Sequence, residues 1–367
     1  MRSMAQRRAV IHGMAGSGKS QLAAMYATNN RVSYSAVFSV DCSSDKSLKE
    51  GYESIHKLLG LPDSSDRVNA VKGWLDQRQL GQHWLLIFDN VPAKFQLDQY
   101  LPTISRVGHI LLLSRSSSIS EHIHCGNGVE IEVEGLSQAD AKSLLISRSR
   151  IKGNLSVDQD TFAVQIVQVL GYLPSAIAQA GAYMHTNSLS IEVLATTIQK
   201  ELDKILQYKS LYSKYPPSLY VAVDDALKQL EEASFTTAEQ FLLFLCHLDP
   251  ILIGRDLLLS AGQSRSRRTA AGGVLQRSPV ESGVSNDIIH DKNGLTLDQR
   301  LQLLISHSLI QRIPKRPKLA SPQAFAIHPL VEFCMKQRTS ETARRRAIQD
   351  VISFISHVYP DGSESSG

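Results

Sequence analysis

The chain of 367 residues has a net charge of +4, with 43% hydrophobic and 20% charged residues. This composition is typical of a globular protein and argues against an extensively disordered one. The small net charge does not favour nucleic acid as a partner. No apolar run approaches the ~20 residues that a membrane-spanning helix needs, and the length is enough for two to three domains of ~150 residues.

The four cysteines, Cys42, Cys125, Cys246 and Cys334, are scattered along the chain without a C-x-x-C pair. Scattered cysteines are typical of free thiols in a reducing compartment. The amino terminus also lacks the apolar stretch of a secretory signal. We therefore expect a cytoplasmic protein with no membrane attachment.

The first third of the chain alternates short apolar segments with amphipathic ones. The apolar segments are rich in Val, Ile, Leu and Phe, as expected for strands buried on both faces; they read RAVIHG, YSAVFSVD, WLLIFDN, HILLLSR and VEIEVEG. Helical patterns such as KSQLAAMYATNN lie between them. This alternation predicts an α/β domain with a parallel sheet over residues 1–136.

Helical patterns dominate the chain after residue 136. We predict one helical domain over residues 137–210 and a further domain over 211–340, which includes two short strands around the basic turn PKRPKLASP. Residues 262–293 are rich in Ser, Arg and Gly, a composition that predicts a mobile surface insertion. A last helix and a polar tail complete residues 341–367.

The segment GMAGSGKS matches the phosphate-binding pattern G-x-x-x-x-G-K-[ST] and lies between a predicted strand and a predicted helix. Its backbone N–H groups would surround phosphate oxygens at the start of the helix. Lys19 would contact the β- and γ-phosphates, and the Ser20 hydroxyl would bind Mg²⁺. The expected nucleotide-binding residues of this segment are Gly13, Gly16, Ser17, Gly18, Lys19, Ser20 and Gln21.

Two further strand ends carry charged side chains. Asp89 ends the apolar segment WLLIFDN, where a carboxylate reaches Mg²⁺ through water, so Lys19 and Asp89 are the candidate catalytic residues and Ser20 and Asp89 the candidate Mg²⁺ ligands. Asn90 follows, where many hydrolytic P-loop enzymes carry a second carboxylate; since an amide is a poor general base, we expect slow hydrolysis. Arg115 ends HILLLSR, a position suited to binding a γ-phosphate.

In this order the motifs resemble the NB-ARC module of the STAND class of signal-transducing ATPases. The closest resemblance is to fungal Nod-like receptors, relatives of plant disease-resistance proteins. Further matching segments are AVFSVDCSS, VEGLSQADAKSLL, LGYLPSAIAQAGAYM as the GLPL motif and FAIHPLVEFC as the MHD-type motif. The similarity spans roughly residues 5–340.

The resemblance implies a P-loop domain followed by a helical domain and a winged-helix domain, with ADP or ATP between them. Pro174 would pack on the adenine side, His328 would contact the β-phosphate of ADP, and Arg115 would sense the γ-phosphate. ADP would hold a closed resting state, and exchange for ATP would open the module and permit assembly with further copies or with related NB-ARC proteins. The winged helix of this family regulates and does not bind DNA.

The sequence departs from the family pattern at three places. Only about a dozen residues precede Gly13, so we expect a reduced nucleotide affinity. The usual effector domain and sensor repeats do not appear in the sequence. The MHD-type motif has Ala326 and Ile327 before His328 and Pro329 after it, so a contact that depends on an aspartate is not expected.

Three alternatives to a nucleotide switch stay open. One is an active P-loop ATPase in which another carboxylate orients the water. A second is a scaffold that no longer binds nucleotide but still pairs with related proteins. The third is a winged-helix DNA-binding protein that uses the basic segment QRIPKRPKL, which the small net charge disfavours.

Overall fold

The computed structural model describes much of the chain in two compact units, Met1–Leu136 and Ser137–Gly367. The described residues are 6–92, 96–102, 107–116, 119, 128–151, 153, 155–207, 219–232, 235–260, 262–268, 274–278, 283, 285, 288, 293–313 and 323–358. The basic turn at 314–322 and the polar tail at 361–367 lie outside these ranges. Among the described helices, none is both long and apolar enough to cross a membrane.

The first unit contains a five-stranded parallel sheet, which confirms the predicted α/β fold. The spatial order is β2-β3-β4-β1-β5, and every neighbouring pair runs parallel. The strands are β1 (Arg7–His12), β2 (Ala36–Asp41), β3 (Trp84–Val91), β4 (Gly108–Ser114) and β5 (Val129–Glu132). All five predicted strands therefore form. The three central strands are buried between helices on both faces, and β2 and β5 pair at the two edges of the sheet.

Helices cover both faces of this sheet. They are α1 (Lys19–Asn29), α2 (Asp45–Leu58) and α3 (Arg67–Asp76), accompanied by 3-10 turns at Arg31–Ser33 and Leu97–Tyr100. Side chains alternate along each strand. Val10 and Phe88 join the core beneath α2 and α3, whereas Ile11 and Ile87 pack on the opposite face with Ala23 of α1. The carboxyl ends of β1, β3 and β4 therefore meet at one edge, where the candidate site residues lie.

The second unit begins with four helices, α4 (Gln138–Ser149), α5 (Val157–Val169), α6 (Pro174–Thr186) and α7 (Ile191–Gln207). Ser137 is the N-cap of α4, because its Oγ accepts a hydrogen bond from the Asp140 N–H at 3.2 Å. Ser156 and Gln159 form a reciprocal capping box at the start of α5. Pro174 occupies the first turn of α6, where its missing N–H costs nothing.

The remainder of this unit combines helices with short antiparallel strands. Its helices are α8 (Leu219–Glu232), α9 (Ala238–Leu248), α10 (Arg255–Ser260), α11 (Leu297–Ser306), α12 (Pro329–Arg338) and α13 (Glu341–Val358). The strands β6 (Ile253–Gly254), β9 (Ile310–Ile313) and β10 (Ala324–Ile327) form a sheet in the order β6-β10-β9. The assignment of residues 211–340 to a winged helix stays a prediction.

A two-stranded hairpin lies within the segment 262–293. Strand β7 (Arg265–Arg268) pairs antiparallel with β8 (Val274–Arg277). The sequence pattern did not predict these strands, because RSRR and VLQR lack apolar alternation and their pairing is a local backbone arrangement. The mobility expected for this segment stays a prediction.

Candidate nucleotide-binding site

The P-loop connects β1 to α1 and depends on three glycines. Gly13, Gly16 and Gly18 have φ values of 143°, 82° and 95°, in the left-handed region that disfavours other residues. A Cβ at Gly13 would lie 2.4 Å from the carbonyl oxygen of Val133. Both the backbone conformation and the close approach therefore require glycine at this position.

The start of α1 is suited to binding an anion. Its N-cap, Gly18, has no side chain to satisfy the first N–H groups, and no acidic residue lies in the first turn. Ser17 lies in the same loop; its Oγ is buried and has no hydrogen-bond partner among the described residues. An unsatisfied buried hydroxyl costs about 1–3 kcal/mol, so a phosphate oxygen fits this position.

Lys19 is folded back over the loop. Its Nζ donates hydrogen bonds to the carbonyl oxygens of Gly13 at 2.7 Å and Met14 at 2.8 Å. Burial, as the larger cause, and the positive charge of Arg115 together lower the pKa of Lys19 to about 8, whereas the negative charge of Asp89 acts to raise it. The three side chains predicted from separate motifs are therefore near enough to act on one another electrostatically.

Asp89 has a second carboxylate beside it. Asp41, at the end of β2, is the Cα partner of Asp89 in the parallel pairing. Asn90, at a φ of 59°, donates a hydrogen bond from Nδ2 to Asp41 Oδ1 at 3.0 Å and from its backbone N–H to Asp89 Oδ1 at 2.8 Å. Partial burial acts to raise the pKa of Asp41, but hydrogen bonds from Asn90 and Ser43 lower it below its ordinary value.

Sequence reasoning did not single out Asp41. The segment AVFSVDCSS was matched as a family motif, but its aspartate was not assigned a role. The available signal was its position at the end of a predicted strand, because the carboxyl ends of neighbouring parallel strands meet at one edge. The sequence does not say which strands are neighbours, so the pairing with Asp89 needed the fold.

The remaining predicted residues of the first unit lie at this same edge. Ser20 and Gln21 are exposed in the first turn of α1, and Arg115 is half-buried immediately after β4. The described residues contain no group of three or more His, Cys, Asp or Glu able to hold a metal ion. Mg²⁺ bound to ATP commonly needs only one or two protein ligands, so Ser20 and Asp89 stay predicted ligands.

Pro174 and His328 lie in the second unit. Pro174 begins α6, three residues after Gly171. His328 is the N-cap of α12: its Nδ1 accepts a hydrogen bond from the Leu330 N–H at 3.2 Å, and its Nε2 lies 2.9 Å from the carbonyl oxygen of Gly171. An Nδ1 acceptor requires the proton on Nε2, so the imidazole is neutral. Burial lowers its pKa to about 4, partly offset by the bond to Gly171.

The GLPL and MHD-type motifs therefore meet within one unit, although the resemblance assigned them separate contacts with the nucleotide. The predicted contacts of Pro174 with adenine and of His328 with a β-phosphate stay predictions. What the second unit adds is a direct hydrogen bond between the two motifs.

Comparison with known proteins identifies the family of the first part of the chain. Residues 3–152 match the model of the NB-ARC domain. A nucleotide-binding leucine-rich repeat (NLR)-like protein from Hyaloscypha variabilis is 28% identical over 207 residues, which are 50% of this chain and 20% of that protein. The chain thus matches about a fifth of the length of this relative.

Solved structures show lower similarity. A signal transduction ATPase with numerous domains (STAND) and a tetratricopeptide repeat sensor, from Pyrococcus horikoshii, has a TM-score of 0.33 and 13% identity, covering 96% of this chain and 43% of that chain. The structure of Drosophila ORC bound to DNA has a TM-score of 0.37 and 13% identity. The match covers 96% of this chain and 91% of that chain. At these scores neither bears on activity or partners. On the family model and the fungal relative, residues 3–152 are similar to an NB-ARC domain, and half of the chain is similar to part of a fungal NLR-like protein.

Proposed function

We propose that this protein is an ADP/ATP-binding switch with an ADP-bound resting state and little or no hydrolysis. The observation that carries the proposal is the buried Ser17 hydroxyl, which has no partner among the described residues and lies in a glycine loop at the start of α1. Such a hydroxyl is stabilised when it donates a hydrogen bond to a phosphate oxygen.

The residues around the loop have separate roles in this proposal. Lys19 exchanges its bonds to the Gly13 and Met14 carbonyls for contacts to β- and γ-phosphate oxygens. Negative phosphate charge then offsets the repulsion between Lys19 and Arg115, which is present in the free loop. Arg115 is suited to binding the γ-phosphate that distinguishes ATP from ADP, and Ser20 with Asp89 would hold Mg²⁺.

A switch needs a nucleotide that binds its two states with different affinities. His328 supplies such a difference if it contacts ADP only in the closed state, because opening removes that contact. Pro174 on the adenine side would act in the same way. Opening would then expose surfaces for assembly with further copies or related NB-ARC proteins.

The first test is to denature purified protein and identify the nucleotide that is released. Near-stoichiometric ADP supports the resting state of the switch. An empty protein that takes up neither ADP nor ATP on titration overturns the proposal and leaves the alternative of a scaffold that does not bind nucleotide. Lys19→Met should lose the bound ADP, and Lys49→Met is its matched control, because the Lys49 side chain is exposed on α2 and, among the described residues, pairs only with Asp45 of the same helix.

An active ATPase is the second candidate, and the position of Asp41 favours it. Asp41 lies beside Asp89 at the carboxyl end of the sheet and retains a low pKa, so it is a charged carboxylate available to orient water. Turnover above ~1 s⁻¹, within the range of ordinary enzymes, that is lost in Asp41→Asn would support this candidate over the switch with slow hydrolysis.

A further inference from the structure

A group of basic and aromatic side chains lies at the amino-terminal end of the sheet, away from the P-loop. Arg7 at the start of β1 and His109 near the start of β4 are Cα partners in the parallel pairing. Arg7 and Ile11 share a face by strand alternation, and this is the face covered by α1. The six residues of β1, from Arg7 to His12, span five steps of ~3.3 Å, or about 16 Å, so this group is remote from the P-loop.

Aromatic contacts hold the group together. The Tyr34 hydroxyl lies 2.7 Å from His109 Nδ1 and 2.9 Å from the Tyr26 hydroxyl. The Tyr34 and His109 rings meet edge to face with centroids 5.4 Å apart. His83, directly before β3, brings its ring centroid within 5.9 Å of that of His109 at an interplanar angle of 37°. The orientation of His109 is therefore set by the tyrosine pair.

Each imidazole has one nitrogen left for a ligand. His83 Nδ1 lies 3.2 Å from the Val107 carbonyl oxygen and donates to it, which occupies that nitrogen. His109 Nδ1 is occupied by Tyr34. The Nε2 atoms of both rings have no hydrogen-bond partner among the described residues, and both side chains are only half-buried. Each of the two neighbouring rings, with centroids 5.9 Å apart, therefore has one nitrogen without a partner among the described residues.

The charges around this group have one sign. Burial lowers the pKa of His109, and the positive charges of Arg7 and His83 lower it further. Within the described part of the chain, no carboxylate forms an ion pair with Arg7, His83 or His109. Neighbouring cations without a counter-ion repel one another, and an anion bound between them removes that repulsion.

We propose that Arg7, His83 and His109 form a binding site for a phosphate-class oxyanion, separate from the P-loop. The Arg7 guanidinium, the Nε2–H of His109 and, once the His83 ring is protonated, the Nε2–H of His83 act as donors to the oxyanion oxygens, and Tyr34 keeps the His109 ring in position. A transition metal ion fits less well, because the group contains two imidazoles, no carboxylate and a guanidinium that repels cations.

The test is a titration of the full chain carrying ¹³Cε1-labelled histidine, followed by NMR, with Lys19→Met to weaken the P-loop. Inorganic phosphate is the first probe and ADP the second. We expect phosphate to shift the resonances of His83 and His109 together and to raise the apparent pKa of His109 by about one pH unit, because an anion favours protonated imidazole. His83→Gln and His109→Gln assign the two resonances, and exposed His185 reports nonspecific binding.

Two variants separate a binding site from a structural cluster. Arg7→Gln removes one donor and should weaken phosphate binding by about tenfold. Tyr34→Phe retains the ring contact but releases His109 Nδ1, and should also weaken binding. A response to ADP as well as to phosphate indicates a nucleotide as the source of the phosphoryl group, and a response to phosphate alone indicates the free ion.

Several outcomes overturn the proposal. One is a phosphate response that does not saturate or that is equal at His185. Another is unchanged phosphate affinity in Arg7→Gln. A third is a response of both imidazoles to Zn²⁺ without any response to phosphate, which would identify a metal site. The P-loop proposal is tested by nucleotide release, so failure here leaves it unaffected.

Discussion

His328 Nε2 donates a hydrogen bond to the carbonyl oxygen of Gly171 at 2.9 Å, across 157 residues of sequence. Gly171 has a φ of 59°, and a Cβ at this position would lie 2.3 Å from His328 Cε1. The glycine of the GLPL motif is thus required both by its backbone conformation and by the imidazole that packs on it. This contact joins the loop before α6 to the start of α12.

Gly171→Ala should destabilise the second unit more than an equivalent substitution elsewhere. The new methyl group must displace His328 in addition to straining a left-handed backbone, for a total of about 2–4 kcal/mol. Gly294→Ala is the matched control, because Gly294 has a φ of 78° and nothing within 4 Å of the added Cβ. Urea unfolding measures both variants, and equal losses of stability would contradict a steric role for His328.

Stability should fall as the pH is lowered from about 6.5 to 4. Burial lowers the pKa of folded His328 to about 4, below the ordinary 6.5, so the unfolded chain binds the proton first in this window. This difference stabilises the folded state by up to about 3 kcal/mol. The stabilisation is fully present above pH 6.5 and is lost as the pH falls to 4. Unfolding free energies at pH 7 and 4.5 measure it. The His328→Gln variant should lose less stability than the wild type over this pH range. An equal loss would contradict the attribution of this pH dependence to His328.

Ser17→Ala should have opposite effects on the free protein and on nucleotide binding. Removing a buried hydroxyl without a partner is neutral or stabilises the free protein by about 1 kcal/mol, whereas the phosphate contact is lost. Differential scanning calorimetry without nucleotide, together with ADP titration, checks both signs. Ser44→Ala is the control: its Oγ caps α2 at 3.0 Å from the Ser47 nitrogen, so stability should fall and ADP affinity should not. A destabilised Ser17→Ala protein with normal ADP affinity would contradict the proposed contact between the Ser17 hydroxyl and a phosphate.

Asn90→Asp should increase ATP hydrolysis. The position follows Asp89 at the carboxyl end of β3, and its φ of 59° is tolerated by Asp as well as Asn. A carboxylate there supplies a general base, so we expect the turnover number for ATP hydrolysis to increase about tenfold or more. Phosphate release from ATP is the measurement, with Asn29→Asp, at an exposed position at the end of α1, as the control. No increase over the wild type would show that the amide at 90 does not limit hydrolysis.

His328→Ala should shorten the retention of ADP. Within the proposed switch, the imidazole favours the closed, ADP-bound state, so its loss speeds ADP release and favours opening. Stopped-flow displacement of a fluorescent ADP analogue gives the off-rate, and Gly171→Ala should also raise it by displacing the imidazole. His185→Ala, a change at an exposed histidine of α6, serves as the control. An unchanged off-rate in His328→Ala removes His328 from the switch.

The sequence alone determined the features that depend on contiguous residues. The strands of the first unit follow from runs of apolar side chains, and the P-loop follows from glycines at fixed spacing before Lys19. Asp89 and Arg115 could be placed because an apolar segment of the sequence ends at each. The N-cap Ser137 is local in the same sense. These features need no knowledge of which distant segments meet.

Only the tertiary structure decided which strand ends and loops are neighbours. Asp41 became part of the site because β2 lies next to β3, a pairing that no local pattern encodes. The contacts of His328 with Gly171 and of Tyr34 with His109 join residues 157 and 75 positions apart. Such contacts form only when packing of the whole unit compensates the entropy of closing long loops, so they are properties of the fold and not of any one segment.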